Sequence, residues 1–302
     1  MLPKLFRRNC CDGIYNSFDV HFTNFCDNKC AHCVDRGAEF VGDGRPEWEK
    51  MADAIIANQK GFDDVLILGG EPCLFLREML DFICAIKDNT KLKVYCTSAV
   101  PKTCRDDTTR FFRILELLDG FNISAQHHDE TVADQIRGVK STFDRQEFYR
   151  RIAILHGPKV RINLNVVRGL LDTRKDITAC LLHYDAMGFG SFKLSEIQHS
   201  TGDYRSFESI FGIKLASPYY GGCQTPIDTE KVLGVKLRAP LLLKRSCFLC
   251  ESTLRASFMD GVKLIYKMLM RKPIIDNTNF GVVYEDGSIA KGWRKGVSHE
   301  SR

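Results

Sequence analysis

The segment NFCDNKCAHCVDR, residues 24–36, places three cysteines, Cys26, Cys30 and Cys33, within eight positions. Closely spaced thiolates on one loop are metal ligands by their chemistry. A complete cage for a structural zinc ion or an iron–sulfur cluster normally takes four ligands. Three leave two readings. Either His21 or His32 completes a mixed Cys/His zinc site, or the loop holds three irons of a [4Fe–4S] cubane and the fourth iron stays open to a ligand. The loop alone does not choose between them.

The elements around the loop narrow the choice. A β-prone run, SFDVHFTN at 17–24, leads into the cysteines, and PEWEKMADAIIANQ at 46–59 has helical spacing through Trp48, Met51, Ile55 and Ile56. Strand-like DDVLILGGEP at 63–72 follows, then a helix at 75–87, a strand at 91–98 and a helix at 107–120 that Gly120 would cap. FNISAQ at 121–126 reads as a strand, 129–155 as a longer polar helical region and KVRINLNVV at 159–167 as a strand. A helix at 173–188 opens on a Thr173/Asp176 capping box, and GFGSFKLSEIQ at 188–198 supplies a sixth strand. Six strands joined by crossover helices predict an α/β fold, a partial (β/α)6 TIM-type barrel, over residues 15–200, with residues 1–14 as an N-terminal extension. Residues 201–302 lose the alternation and read as a C-terminal cysteine-containing module, with a helix at 259–271 and a hairpin around GVVYEDGSIAKGW.

Position on that sheet matters. Cys26, Cys30 and Cys33 follow the C-terminal end of the first strand, and Gly69, Gly70 and Glu71 that of the second. In parallel α/β architectures this rim is where ligands bind. The two motifs are expected to meet over one site.

With the motif Cys26-x3-Cys30-x2-Cys33, His32 before the last cysteine and GGEP at the next strand end, the sequence resembles the radical S-adenosylmethionine superfamily. The resemblance implies a [4Fe–4S] cluster on the three cysteines. It also implies S-adenosylmethionine as the ligand of the open iron, and a deoxyadenosyl radical that takes hydrogen from a substrate. His32 would lie near the adenine, and the Gly69–Glu71 segment would hold the methionine amino group. RINLNVVRG at 161–169 and FKLSE at 192–196 resemble strands of the GTP cyclase of molybdenum cofactor biosynthesis and of related peptide-modifying enzymes of the SPASM/twitch type. On that analogy Asn163, Asn165, Ser124 and Glu196 would line the cofactor or substrate site. The GTP cyclase itself is not expected, because Trp293 stands near the position of a late cysteine, only Arg255 follows the Cys-x2-Cys motif within ESTLRAS, and the tail ends SHESR.

The remaining reactive residues divide into candidates and packing. His127 and His128 follow the fourth strand at the active rim, where His127 is placed for substrate contact, although paired loop histidines are also commonly solvated. Glu196 is either a substrate ligand or a partner for Lys193. Cys84, Cys96 and Cys180 stand among apolar residues and read as core. Cys247-x2-Cys250, with Cys223 as a third ligand, has the spacing of an auxiliary [4Fe–4S] cluster, as in many relatives, while CFLC could equally be packing.

Composition excludes several classes. At 302 residues, 44% hydrophobic and 27% charged, the chain is globular, and 43 basic against 38 acidic residues is too weak a bias to indicate nucleic-acid binding. The longest apolar stretches, such as APLLLK at 239–244, are too short to span a membrane. Thirteen cysteines, an odd number behind an N-terminus without a signal-peptide core, argue against a disulfide framework and for the cytoplasm. The expected partners are a small-molecule or peptide substrate and an electron donor such as a flavodoxin or ferredoxin.

Overall fold

The computed structural model describes residues 16–30, 32–33, 44–197, 205–213, 224–244, 280–284 and 286–290. Strands β1 (Ser17–His21), β2 (Asp64–Leu68), β3 (Lys93–Ser98), β4 (Gly120–Ser124), β5 (Val160–Val166) and β6 (Ser191–Glu196) form in the predicted order. Between them run helices α1 (Trp48–Asn58), α2 (Leu76–Asn89), α3 (Lys102–Asp106), α4 (Thr108–Leu117), α5 (Glu130–Arg137), α6 (Arg145–His156) and α7 (Arg174–Met187). All neighbours from β1 to β6 pair in parallel, as crossover connections require.

The sheet continues beyond this core. β7 (Gln224–Ile227), β8 (Leu241–Lys244), β9 (Phe280–Val283) and β10 (Ile289–Ala290) give the order β10-β9-β1-β2-β3-β4-β5-β6-β8-β7. β8 lies parallel beside β6 and β9 parallel beside β1, with antiparallel β7 and β10 at the margins. The order is linear, so the partial barrel is open. APLLLK, too short for a membrane, supplies β8. The described strands of the final third therefore share the hydrogen-bonded sheet of the first two thirds, and the hairpin expected near residue 285 is β9–β10. Cys223, Cys247, Cys250, Arg255, Trp293, the 1–14 extension and the helix expected at 259–271 lie outside the described residues. Among the described residues, no helix is long and apolar enough to cross a membrane.

Period-two alternation gives the sheet two unlike faces. Phe18, Val20, Val65, Ile67, Val94, Phe121, Ile123, Ile162, Leu164, Phe192 and Leu194 are buried without exposure and form one apolar face. The helices close it: Phe82 of α2 packs edge-on to Phe22, with ring centroids 5.6 Å apart, and Phe111 of α4 packs edge-on to Phe121 at 5.8 Å. The intervening residues are largely polar, namely Asp19, Thr97, Asn122, Ser124, Arg161, Asn163, Asn165 and Lys193. A polar interior face on a parallel sheet is a poor core and a good binding surface.

Three local expectations change. Gly120 does not cap α4; that helix ends at Leu117, and Gly120 is the first residue of β4, paired with Tyr95. The helical region at 129–155 is two helices, because Gly138 turns the chain at φ 68° after Arg137. At α7 the Thr173 hydroxyl oxygen accepts from Asp176 N–H at 3.1 Å as expected, but the Asp176 carboxylate accepts from the Thr173 hydroxyl itself, at 2.6 Å, and not from its backbone N–H.

Phe82 joins the helix layer to the strand that carries the cysteine loop. Phe82→Ala is expected to lower the unfolding free energy by about 3–5 kcal/mol, read by urea denaturation; a loss under about 1 kcal/mol would show that α2 does not anchor the sheet through this ring.

Candidate functional site

The site is built where the ends of β1 and β2 meet. After β1, Phe22 N–H donates to Leu68 O at 2.8 Å, holding the emerging loop to β2. Thr23 then fixes the turn, its hydroxyl donating to Gly44 O at 2.6 Å and its oxygen accepting from Phe25 N–H at 3.0 Å. The glycine turn presses directly on this loop. Glu71 N–H donates to Phe25 O at 2.8 Å, and Gly70 lies so close that a Cβ there would meet the carbonyl oxygens of Phe25 and Thr23, the latter at 2.5 Å. Gly70 also has φ 51°, which side chains rarely adopt. A glycine is required here by contact with the cysteine loop itself.

A second grip holds the loop from the other side. Lys29 N–H donates to Arg137 O at 2.7 Å, and a Cβ on Gly138 would stand 2.6 Å from Lys29 O. Arg137 is buried and pairs with Glu130 at 2.5 Å and Asp134 at 2.7 Å, which fixes the C-terminal end of α5.

Cys26 and Cys30 are half-buried and Cys33 is exposed. Cys33 N–H donates to Cys30 O at 3.2 Å in a tight turn, and Asn28 N–H donates to Cys26 Sγ at 3.4 Å. Burial pushes the Cys26 thiol up to about 12 and the Cys30 thiol up to about 11. A metal bound here would replace these protons. Backbone N–H groups aimed at sulfur stabilise a thiolate once it forms.

Glu71 is turned away from the loop. Its buried carboxylate accepts from Cys73 N–H at 3.1 Å, Ser98 hydroxyl at 2.6 Å and Ala99 N–H at 2.7 Å. Arg145 closes on the same stretch, donating to Ala99 O at 3.0 Å and to Val100 O. Between these clamps Val100 sits at φ 56°, a costly conformation for a β-branched residue. The Glu71 side chain thus ties the ends of β2 and β3 together, and what the Gly69–Glu71 segment can offer a ligand is its backbone.

The inner face supplies the opposite wall. Asn165 Nδ2 lies 3.3 Å from His32 Nε2, joining β5 to the cysteine loop. Asn163 is buried with its Oδ1 unpartnered among the described residues, and in register with it stand Ser124 on β4 and Lys193 on β6. Asn122 Nδ2 donates to Thr97 Oγ1 at 3.0 Å, while its Oδ1 has no partner among the described residues. Buried oxygens without donors fit a polar ligand that brings its own hydrogens.

Glu196 and His127 stand apart from that wall. By parity Glu196 shares the apolar face of β6 with Phe192 and Leu194, and its Oε1 accepts from Phe207 N–H at 2.7 Å. His127 is buried, and its Nδ1 accepts from Asp129 N–H at 2.9 Å. Burial, then the neighbouring His128, hold its pKa below the ordinary histidine value. Its ring stacks on that of His128 at 4.5 Å, and His128 Nδ1 lies 2.9 Å from Cys180 Sγ. Sequence reasoning missed Asn122, Arg161, Arg137 and Arg145. Asn122 and Arg161 were readable from their two-residue offsets to Ser124 and Asn163; Arg137 and Arg145 act through contacts distant in sequence.

These thiols can be weighed against the zinc reading. Among the described residues, the one set of three His, Cys, Asp or Glu donor atoms mutually within 4.8 Å is His127, His128 and Cys180. Cys26, Cys30 and Cys33 are not gathered around one such point, and a multi-iron cluster separates its thiolates farther than a single ion does. The donor set, the glycine cradle and the orphaned amide oxygens fit a cluster with a polar organic ligand beside it.

Burial pushes the Glu71 carboxyl up to about 8 from its ordinary 4.5. The folded state then keeps a proton that the unfolded chain releases above pH 4.5. The stability this contributes is complete below 4.5 and lost as pH rises through 8. Glu71→Gln is expected to remove that decline from urea unfolding measured at about pH 5, 7 and 9; the same decline in the variant would assign it to another group. Gly70→Ala is expected to abolish cluster loading, read as loss of the brown absorption after anaerobic reconstitution, and normal loading would show that the loop tolerates displacement.

Known proteins share a sequence family and the fold with this chain. The profile of the "Radical SAM superfamily" matches residues 20–178. Two crystal structures of Streptococcus suis SuiB share the fold. The chain covers 92% of its own length and 60% of the SuiB chain bound to S-adenosylmethionine, at 16% identity and TM-score 0.57. For SuiB bound to the precursor peptide SuiA the values are 96%, 62%, 15% and 0.62. TYW1 with a lysine-pyruvate adduct is similar over 74% of this chain and 82% of its own, at 16% identity and TM-score 0.50. The chain thus spans about three fifths of the length of SuiB. No curated protein matches it by sequence. The family match spans more than half of the chain and includes the cysteine loop and the glycine turn that grips it, so the chain belongs to the radical S-adenosylmethionine superfamily, whose cofactors are a [4Fe–4S] cluster and S-adenosylmethionine.

Proposed function

We propose that the protein is an enzyme that reductively cleaves S-adenosylmethionine and uses the 5′-deoxyadenosyl group as a radical to take hydrogen from a peptide or a small organic metabolite. The observation that carries this reading is the seating of Gly70 on the carbonyls of Thr23 and Phe25, which brings the glycine turn against the three-cysteine loop. A cluster and S-adenosylmethionine held there would supply one-electron cleavage of a sulfur–carbon bond.

The chain's own residues hold and orient. Cys26, Cys30 and Cys33 would ligate three irons, and the backbone of residues 69–71 would hold the methionine end of S-adenosylmethionine. His32, linked to Asn165 at 3.3 Å, would flank the adenine, with Asn163 and Ser124 receiving ligand hydroxyl or amino groups from the inner face. The apolar layer on the other face of these strands holds the sheet that carries those groups. His127 and Glu196, each accepting a backbone N–H at a strand exit, enter as positioning residues.

A peptide substrate is supported by the fold-level likeness to SuiB, whose structure holds a precursor peptide. The electron requires a donor, for which a flavodoxin or ferredoxin is proposed. An auxiliary cluster on Cys223, Cys247 and Cys250 belongs to the same reading, with residues 201–302 as the module that carries it.

Anaerobic reconstitution tests the reading against that of a structural zinc or iron–sulfur protein. With S-adenosylmethionine and a reductant, wild type is expected to release 5′-deoxyadenosine and Cys30→Ala none; equal release from both would refute the ligand assignment. Iron content of about eight per chain would support the auxiliary cluster and about four would exclude it.

A further inference from the structure

We propose that His127, His128 and Cys180 form a zinc site separate from the cysteine loop. One donor atom from each lies within 4.8 Å of the other two, and His128 Nδ1 stands 2.9 Å from Cys180 Sγ. Around a tetrahedral zinc, with Zn–S near 2.3 Å and Zn–N near 2.0 Å, neighbouring donors are roughly 3.5 Å apart. Small side-chain adjustments reach that spacing. Two imidazoles and a thiolate form a mixed borderline and soft donor set that suits zinc and is poor for magnesium or calcium.

The backbone is shaped to bring these groups together. Consecutive side chains on an extended strand point to opposite sides. Here His127 N–H donates to Ala125 O at 2.9 Å, closing a three-residue γ-turn on Gln126, which sits at φ 67°. The turn stacks the next two rings face to face, 4.5 Å apart and 28° from parallel. A buried, non-glycine residue held in that region points to a purpose served by the geometry.

Surrounding groups fix the donors. Tyr184 hydroxyl donates to His127 O at 2.9 Å, and Gln146 Nε2 donates to Tyr184 hydroxyl at 3.3 Å. Gln146 Oε1 lies 3.1 Å from His183 Nε2, and the His183 ring is 5.3 Å from His128. An amide oxygen at Nε2 selects the tautomer whose Nδ1 is a lone-pair donor, so His183 or a water can complete four-coordination. A metal at His127 Nδ1 would displace one contact, the hydrogen bond from Asp129 N–H. The site would pin the turn after β4, and with it Ser124, to α7. It makes His127 a metal ligand and not a group that meets substrate.

The test uses the full chain with Cys26, Cys30 and Cys33 changed to alanine, which removes the loop as a competitor. Cobalt(II), added anaerobically as the probe, is expected to give intense visible bands of a tetrahedral site with thiolate charge transfer. Adding Cys180→Ser or His128→Ala is expected to remove one equivalent of cobalt, and one of zinc by plasma mass spectrometry. Equal uptake with and without Cys180→Ser overturns the proposal, since Cys223, Cys247 and Cys250 would then account for all the metal. Should circular dichroism show that the triple variant does not fold, Cys180→Ser is compared with wild type after both are loaded with iron and sulfide. The same one-equivalent difference in zinc supports the site there, and no difference overturns it.

Discussion

The contact of Gly70 with the carbonyls of Thr23 and Phe25 is the constraint from which the site follows. It is a backbone-to-backbone approach at a positive φ, which only a glycine satisfies without displacement. The adjoining hydrogen bond from Glu71 N–H to Phe25 O locks the register of the two loops. Because the loops leave neighbouring parallel strands at the same rim, this one contact decides whether thiolates and glycine backbone face a common ligand. The buried Glu71 carboxylate extends the constraint to β3, and Arg145 extends it to α6.

The sheet supports this arrangement through its asymmetry. One face is apolar and sealed by helices, which supplies stability. The other carries Asn122, Asn163, Asn165, Arg161 and Lys193, a set that folding alone would not favour. Asn163 Oδ1 and Asn122 Oδ1 remain without donors among the described residues. A polar ligand that donates to them offsets the cost of burying such atoms.

The six βα units and the meeting of the two motifs were legible because alternation and strand-end position are local properties of the chain. The pairing of β9 with β1 was not, since residues 280–283 lie more than 250 positions away and carry no signal of their partner. Gly120 looked like a helix cap because it ends an amphipathic run; strand pairing to Tyr95 overrode that propensity. That Gly69 and Gly70 face the cysteine loop was readable, but the individual carbonyls of Thr23 and Phe25 on which Gly70 closes were not. Glu196 was readable as rim-proximal, while its parity with Phe192 and Leu194, which directs it to Phe207, needed the register. Cys180 looked like a small core hydrophobe, and it is buried, but its neighbour is a histidine ring from a turn 52 residues earlier.

Cys26, Cys30 and Cys33 are proposed to hold a cluster with one iron open toward the glycine turn. Electron paramagnetic resonance of the reduced, reconstituted protein, with the cysteines 223, 247 and 250 changed to alanine, tests it most directly. The signal of the reduced [4Fe–4S] cluster is expected to change on adding S-adenosylmethionine, with hyperfine coupling to a 15N-labelled methionine amino group. A cluster signal unaltered by S-adenosylmethionine, or a protein that binds zinc in place of iron at these cysteines, would contradict it.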